Sequence, residues 1–199
     1  LKEEEQVSRE SRVGAEGSPP PGPRIYVASL SDYNAGRLHG IWLDASLADD
    51  ELAQAVQGML TTSPELGAEE IAIHDYEGFG PIRLHEYASL SSVAQIARGI
   101  SEHGVAFAHW ASIVGIDDAD SAEQFEDSYR GHFDSVEEYA ESLIDDFGWQ
   151  RELDEVVPEY FQPYVRIDVE AFVRDLEQSG DITVSPAELG GVYVFEGNL

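Results

Sequence analysis

Any fold open to this chain must carry 40 acidic side chains against only 11 basic ones, a formal net charge of −29 at neutral pH. Repulsion on that scale opposes compaction, so the carboxylates must lie outside and an apolar core must outweigh them. The sequence can supply such a core. Hydrophobic residues make up 42% of the 199 positions and aromatic residues 10%, which argues against wholesale disorder. A surface of this sign repels nucleic acid and anionic membranes and attracts basic partners, so a DNA-binding protein is excluded. Salt-adapted proteins share the composition, and Lys2 is the only lysine here. No apolar run approaches the roughly 18 residues that suggest a membrane span. Leu1 to Glu10 is polar and carries no secretory signal pattern. With no cysteine, disulfides and thiolate metal sites drop out, and the cytoplasm is the expected compartment.

The acids are concentrated. Between Glu102 and Glu159 there are 17 of them, with only Arg130 and Arg151 as bases. The run holds Asp117, Asp118, Asp120, Glu123, Glu126 and Asp127, then Asp134, Glu137, Glu138, Glu141, Asp145 and Asp146. Helical positions three and four apart sit roughly 5–6 Å apart at Cβ, and like charges there cost a few tenths of a kcal/mol. A surface selected for stability alone would intersperse lysine. Duplex DNA carries one charge per roughly 1.7 Å of axis, and carboxylates projecting from helix rows reach comparable separations. A single charged helix face is ordinarily just solvated. Unmixed sign along so much of the chain is what points further.

The spacing of apolar residues predicts an α+β protein. Residues 1–23, with Lys2-Glu3-Glu4-Glu5 and the proline run Pro19-Pro20-Pro21, read as a disordered tail. A ββαβ unit is expected over 24–87: strands at Ile25–Ala28, Arg37–Leu43 and Ile71–His74, with turn formers over Ser31–Gly36. Its helix spans about 47–60, is capped by Ser46, and turns Leu52, Val56, Met59 and Leu60 inward. Leu38, Ile41 and Trp42 are candidate core residues of the second strand. A helical section follows over 88–124, with one face of Leu90, Val93, Ile96, Ala97 and Ile100, then Val105–Val114. Residues 125–199 form the last unit. Ser121 caps a short helix holding Phe125 and Tyr129, and Asp134 with Glu137 sets up a capping box for a helix over 134–148. That helix has an apolar stripe of Val136, Tyr139, Ala140, Leu143, Ile144 and Phe147. A helix near 168–178 and paired strands at Ile182–Val184 and Val192–Phe195 complete the chain.

Catalytic and metal patterns are weak. His74-Asp75 and His85-Glu86 could contribute ligands to a zinc or iron hydrolase site, but the H-E-x-x-H helix signature is missing. Asp117-Asp118-Ala119-Asp120 only superficially resembles a calcium loop, since the central glycine and the closing glutamate are absent. There is no phosphate-binding glycine loop and no nucleophile elbow. No cofactor is implied. An acidic metal-dependent hydrolase and a salt-adapted interaction module stay open as alternative readings.

Three stretches carry a family resemblance: Pro23 to Gly36 with Leu38-His39-Gly40-Ile41-Trp42; Ala72-Ile73-His74-Asp75-Tyr76-Glu77-Gly78-Phe79; and Phe172-Val173-Arg174-Asp175-Leu176 leading to Gly191-Val192-Tyr193-Val194-Phe195. Together they resemble the ArdA antirestriction proteins. The resemblance implies an elongated, three-domain noncatalytic mimic of bent B-form DNA, usually carried on mobile genetic elements. It implies binding to the specificity and modification subunits of a type I restriction–modification enzyme, in competition with DNA. It further implies a homodimer formed through the last domain and an antirestriction motif near that interface, here Pro158-Glu159-Tyr160-Phe161-Gln162-Pro163-Tyr164. The exposed apolar candidates for the interface are Tyr160, Phe161, Tyr164 and Val165.

Overall fold

A computed structural model describes residues 22–115 and 122–197. Asp117, Asp118, Asp120 and Ser121 lie outside the described residues, as does the tail up to residue 21. The described part is α+β, with two small antiparallel sheets and helices between and around them.

The first sheet comprises β1 (Arg24–Ser29), β2 (Gly40–Asp44) and β3 (Ile71–Glu77), with β1 in the middle. Val27 pairs with Ile41 on one side and Ile73 on the other, and a bulge between Tyr26 and Val27 shifts the β3 register. The central position suits β1, whose Ile25, Val27 and Ala28 are fully buried. Helix α1 (Leu30–Asn34) occupies the stretch expected to be a simple turn. Ser29 caps it by accepting the Asp32 N–H at 3.3 Å. Helix α2 (Asp49–Thr61) buries Leu52, Val56, Met59 and Leu60, as its spacing predicts.

Two expectations in this region are corrected. Ser46 does not cap α2, because its hydroxyl donates to Asp44 Oδ1 at 2.6 Å; Glu51 instead accepts the Ala48 N–H. Leu38 is 72% exposed and Trp42 is also exposed, so neither joins the core. The strand starts only at Gly40, which leaves Leu38 in the preceding loop and puts Leu43, not Trp42, on the inner face. Trp42 packs outside the sheet, beside the Tyr26 ring and under the Arg24 guanidinium.

Helices α3 (Leu90–His103) and α4 (Val105–Val114) are joined at Gly104 and pack against each other. Gly99 explains how closely. A Cβ there would meet the Phe107 ring at 2.3–2.8 Å, so only glycine lets the two helices approach this far. Helix α5 (Ala122–Ser128) buries Phe125 against Phe107 and Trp110, with ring centroids at 5.3 and 5.9 Å. One continuous buried cluster runs from Ile25 and Leu52 through Val93, Ile96 and Trp110 to Phe125 and Phe195.

The second sheet has β6 (Val192–Glu196) between β4 (Tyr129–Phe133) and β5 (Ile182–Pro186), with both pairings antiparallel. Tyr129 was expected in the helix of Phe125 and instead begins β4, where it pairs with Phe195. Local spacing could not reveal this, because the pairing partner lies 66 residues downstream. Helix α6 (Val136–Phe147) packs on this sheet through Val136, Tyr139 and Leu143, and α8 (Val169–Ser179) through Leu176. Between them runs α7 (Trp149–Val156), which has no buried residue. Gly148, in the left-handed region at φ 68°, ends α6 and turns the chain straight into α7.

The helical pair is fastened to the second sheet by His109, which shares a 2.7 Å hydrogen bond with Ser185 of β5 and lies 4.8 Å from the Tyr193 ring. Burial lowers the His109 pKa below the usual imidazole value, with the Glu188 charge acting in the other direction.

Candidate functional site

The acid-rich surface is built from α5, α6 and the segments beside them. On α6, Tyr139, Ala140 and Ile144 are buried, Tyr139 in one cluster with Ile182 and Val194, while Glu137, Glu141 and Asp145 are exposed. The helix starts one residue later than the Asp134/Glu137 spacing suggested. Ser135 is the cap and accepts the Glu138 N–H at 3.3 Å, while the Glu138 carboxylate accepts the Asp134 N–H at 2.7 Å. Ser135 is therefore the N-cap, and Glu138 reaches past it to the N–H of the preceding residue, so only the hydroxyl half of a capping box forms. Phe147, assigned to the buried stripe, is 60% exposed at the last residue of α6.

Every described member of the acidic set is exposed: Glu123, Glu126 and Asp127 on α5, and Asp134, Glu137, Glu138, Glu141, Asp145 and Asp146 on and around α6. The arginines do not neutralise them. Arg24 pairs with Glu77 at 3.2 Å and Arg98 with Asp49 at 3.2 Å, while Arg37 reaches Glu65 and Asp32. Arg130, on the strand that precedes α6, pairs with Glu196 of β6 and donates to the Asp127 carbonyl at 2.8 Å. Among the described residues, no arginine forms an ion pair with any of the α6 carboxylates. Glu126 lies 4.0 Å from His103, which is also 3.9 Å from Glu102. Arg24, Arg37, Arg98 and Arg130 are thus held at carboxylates outside α6, while Arg83, Arg151, Arg166 and Arg174 form no ion pair among the described residues.

Two buried or partly paired carboxylates have a structural role. Asp32 is fully buried. Burial would raise its pKa, but hydrogen bonds from Ser63 and Ser29 and the charges of His39 and Arg37 together hold it below the usual carboxylate range. Asp49 is likewise lowered, chiefly by the Ser91 hydroxyl at 2.6 Å and by Arg98. Neither belongs to the unpaired surface.

The apolar candidates also lie outside. Tyr160 and Phe161 are exposed with ring centroids 4.4 Å apart, Tyr164 is 82% exposed, and Val165 is half-buried. They sit on a turn and a short 3-10 segment, Gln162–Tyr164. Gln162 secures this loop by donating to the Asp154 and Val157 carbonyls at 2.7 and 3.3 Å. Sequence reasoning missed α7, which adds exposed Glu152 and Glu155 and places Trp149 beside Phe147. The signal was present in Leu153 and Val156 at helical spacing after Gly148, but a helix with no buried residue leaves little apolar pattern.

The histidine–carboxylate alternative finds no geometric support. His74 packs its ring edge-on to Tyr33, and His39 and His132 bond the carbonyls of Met59 and Gly190. Among the described residues, no three His, Asp or Glu side chains are grouped to hold a metal. No described helix is long and apolar enough to cross a membrane.

An α+β scaffold whose outer helices carry exposed carboxylates, with no arginine ion-paired to those of α6 among the described residues, defines an acidic protein whose surface attracts positive charge. The family model of the antirestriction protein (ArdA) matches residues 25–188, and the chain belongs to that family. The family is one of inhibitor proteins, not of known enzymes. No individual curated protein matches the chain.

Proposed function

We propose that the protein is a DNA mimic that occupies the DNA-binding groove of a type I restriction–modification enzyme in the cytoplasm and inhibits it by competition. The observation that carries this reading is the unpaired, exposed row Glu137, Glu141 and Asp145, flanked by Asp134, Glu138 and Asp146, on a helix whose inner face is fixed to a sheet. Membership of an antirestriction family supplies the class of target. A groove that binds duplex DNA presents Arg and Lys toward phosphates, and carboxylates held at helical spacing meet the same groups without offering a backbone to cleave or a base to methylate. Turnover and a cofactor have no part in this mechanism. Tyr160, Phe161, Tyr164 and Val165 form the contact of a homodimer, which doubles the length of the charged track. The specificity and modification subunits are the partners, because they hold the DNA before any cleavage. Inhibition of methylation by a type I core, followed at rising concentrations of duplex bearing its recognition site, tests the mechanism. The concentration of protein needed for half-inhibition should rise linearly with duplex; inhibition that persists unchanged under saturating duplex contradicts it.

A further inference from the structure

Between α6 and α8 lies an open hollow of about 790 Å³ whose walls combine two features rarely left together on a surface. One is an uncovered aromatic corner. Phe147 and Trp149 are stacked at 5.0 Å with planes 13° apart, and Phe172 meets Trp149 edge-on at 5.6 Å. The other is a set of carboxylates, Asp146, Asp181 and Glu196, lining the same hollow. Glu196 is already committed to Arg130, and Asp181 accepts the Ser179 hydroxyl through one oxygen at 2.7 Å. Asp146 and the other oxygen of Asp181 have no hydrogen-bond or ion-pair partner among the described residues.

We propose that this hollow is a socket for an arginine side chain of the bound partner, an inference that rests on the reading that the protein meets a basic DNA-binding groove. An apolar occupant would bury the aromatic faces but strip water from Asp146 and Asp181 with nothing in return. A cation satisfies both walls. A guanidinium fits better than an ammonium, because its plane stacks on indole and phenyl faces while its N–H fork donates to carboxylates. The Arg130–Glu196 pair at one end of the hollow already has this chemistry. The volume admits the side chain and the backbone that bears it. The socket converts part of a diffuse charge attraction into a fixed anchor of the kind that dominates interface energetics.

The test uses the full chain labelled for indole N–H resonances, titrated with Nα-acetyl-arginine methylamide and separately with the lysine and norleucine analogues. Trp42 and Trp110 serve as internal controls. The expected result is a saturable shift at Trp149 with the arginine compound alone, weakened several-fold by Asp146→Asn and unchanged by Glu69→Gln, an exposed acid outside the hollow and the acidic run. Equal response to norleucine, equal affinity for lysine, or indifference to Asp146→Asn overturns the socket. The outcome is separable from the function proposed above. This titration needs no enzyme, so failure of the wild-type protein to compete with DNA would remove the mimic and leave the socket to its own result. Competition that survives alongside a silent Trp149 removes the socket and leaves the mimic.

Discussion

Stability and binding should separate along α6, and Asp145→Asn is the substitution that separates them most cleanly. Asp145 stands in the last turn, where the carbonyl end of the helix disfavours a negative charge, and it lies four residues after Glu141. Relief of one like-charge pair is worth about 0.2–0.5 kcal/mol, and removal of an anion from the last turn about 0.3–1 kcal/mol. Neutralising Asp145 should therefore stabilise the fold by about 0.5–1.5 kcal/mol, a rise of roughly 1–6 °C in Tm for a chain of this size. Glu138→Gln should act the other way, because its carboxylate accepts the Asp134 N–H at the favourable end of the helix. Both should weaken target binding, each by no more than about five-fold, as expected for an exposed pair. Denaturant unfolding and equilibrium binding to a type I methyltransferase core, measured on both variants, give the comparison. Destabilisation by Asp145→Asn with binding unchanged would refute the argument, since the charge would then be structural and not presented to a partner.

Other consequences follow from particular contacts. Gly99→Ala should destabilise by about 1–3 kcal/mol despite the better helix propensity of alanine, because its Cβ enters the Phe107 ring; chemical denaturation shows the sign. His109 is buried and its pKa is depressed, so its contribution to stability is complete above the unfolded imidazole value and is lost as pH falls below that value. A Tm profile from pH 8 to pH 5 should therefore fall more steeply in the wild type than in His109→Gln, and identical slopes would contradict this. Tyr164→Asp should convert a dimer into a monomer in light scattering at micromolar concentration with the fold retained; an unchanged mass removes the proposed interface.

Much of the fold is legible where one face of an element is buried locally. Helices α2, α3 and α4 follow directly from apolar spacing, and Gly104, Gly115, Gly148 and Gly180 end their helices where expected. What spacing does not disclose is decided at a distance or by competition. Tyr129 leaves helix α5 for β4 because Phe195 pairs with it from the far end of the chain. Ser46 is drawn to Asp44 instead of to α2, and Ser135 displaces Asp134 as the cap of α6. The exposure of the acids could be anticipated, because carboxylates at outward helical positions have nowhere else to go. That Arg24, Arg37, Arg98 and Arg130 are engaged at Glu77, Glu65, Asp49 and Glu196, and that Arg151 beside α6 pairs with none of its acids, could not be read from sequence.

Displacement of DNA tests the central claim most directly. A fluorescent duplex carrying the recognition sequence, bound to a type I methyltransferase core, is titrated with the protein and followed by anisotropy at several salt concentrations. The account predicts complete release of duplex, one occupant excluding the other. It also predicts protein affinity that weakens as ionic strength rises, because the attraction is between carboxylates and the groups that hold phosphates. A ternary complex of core, duplex and protein, or displacement insensitive to salt, would contradict it.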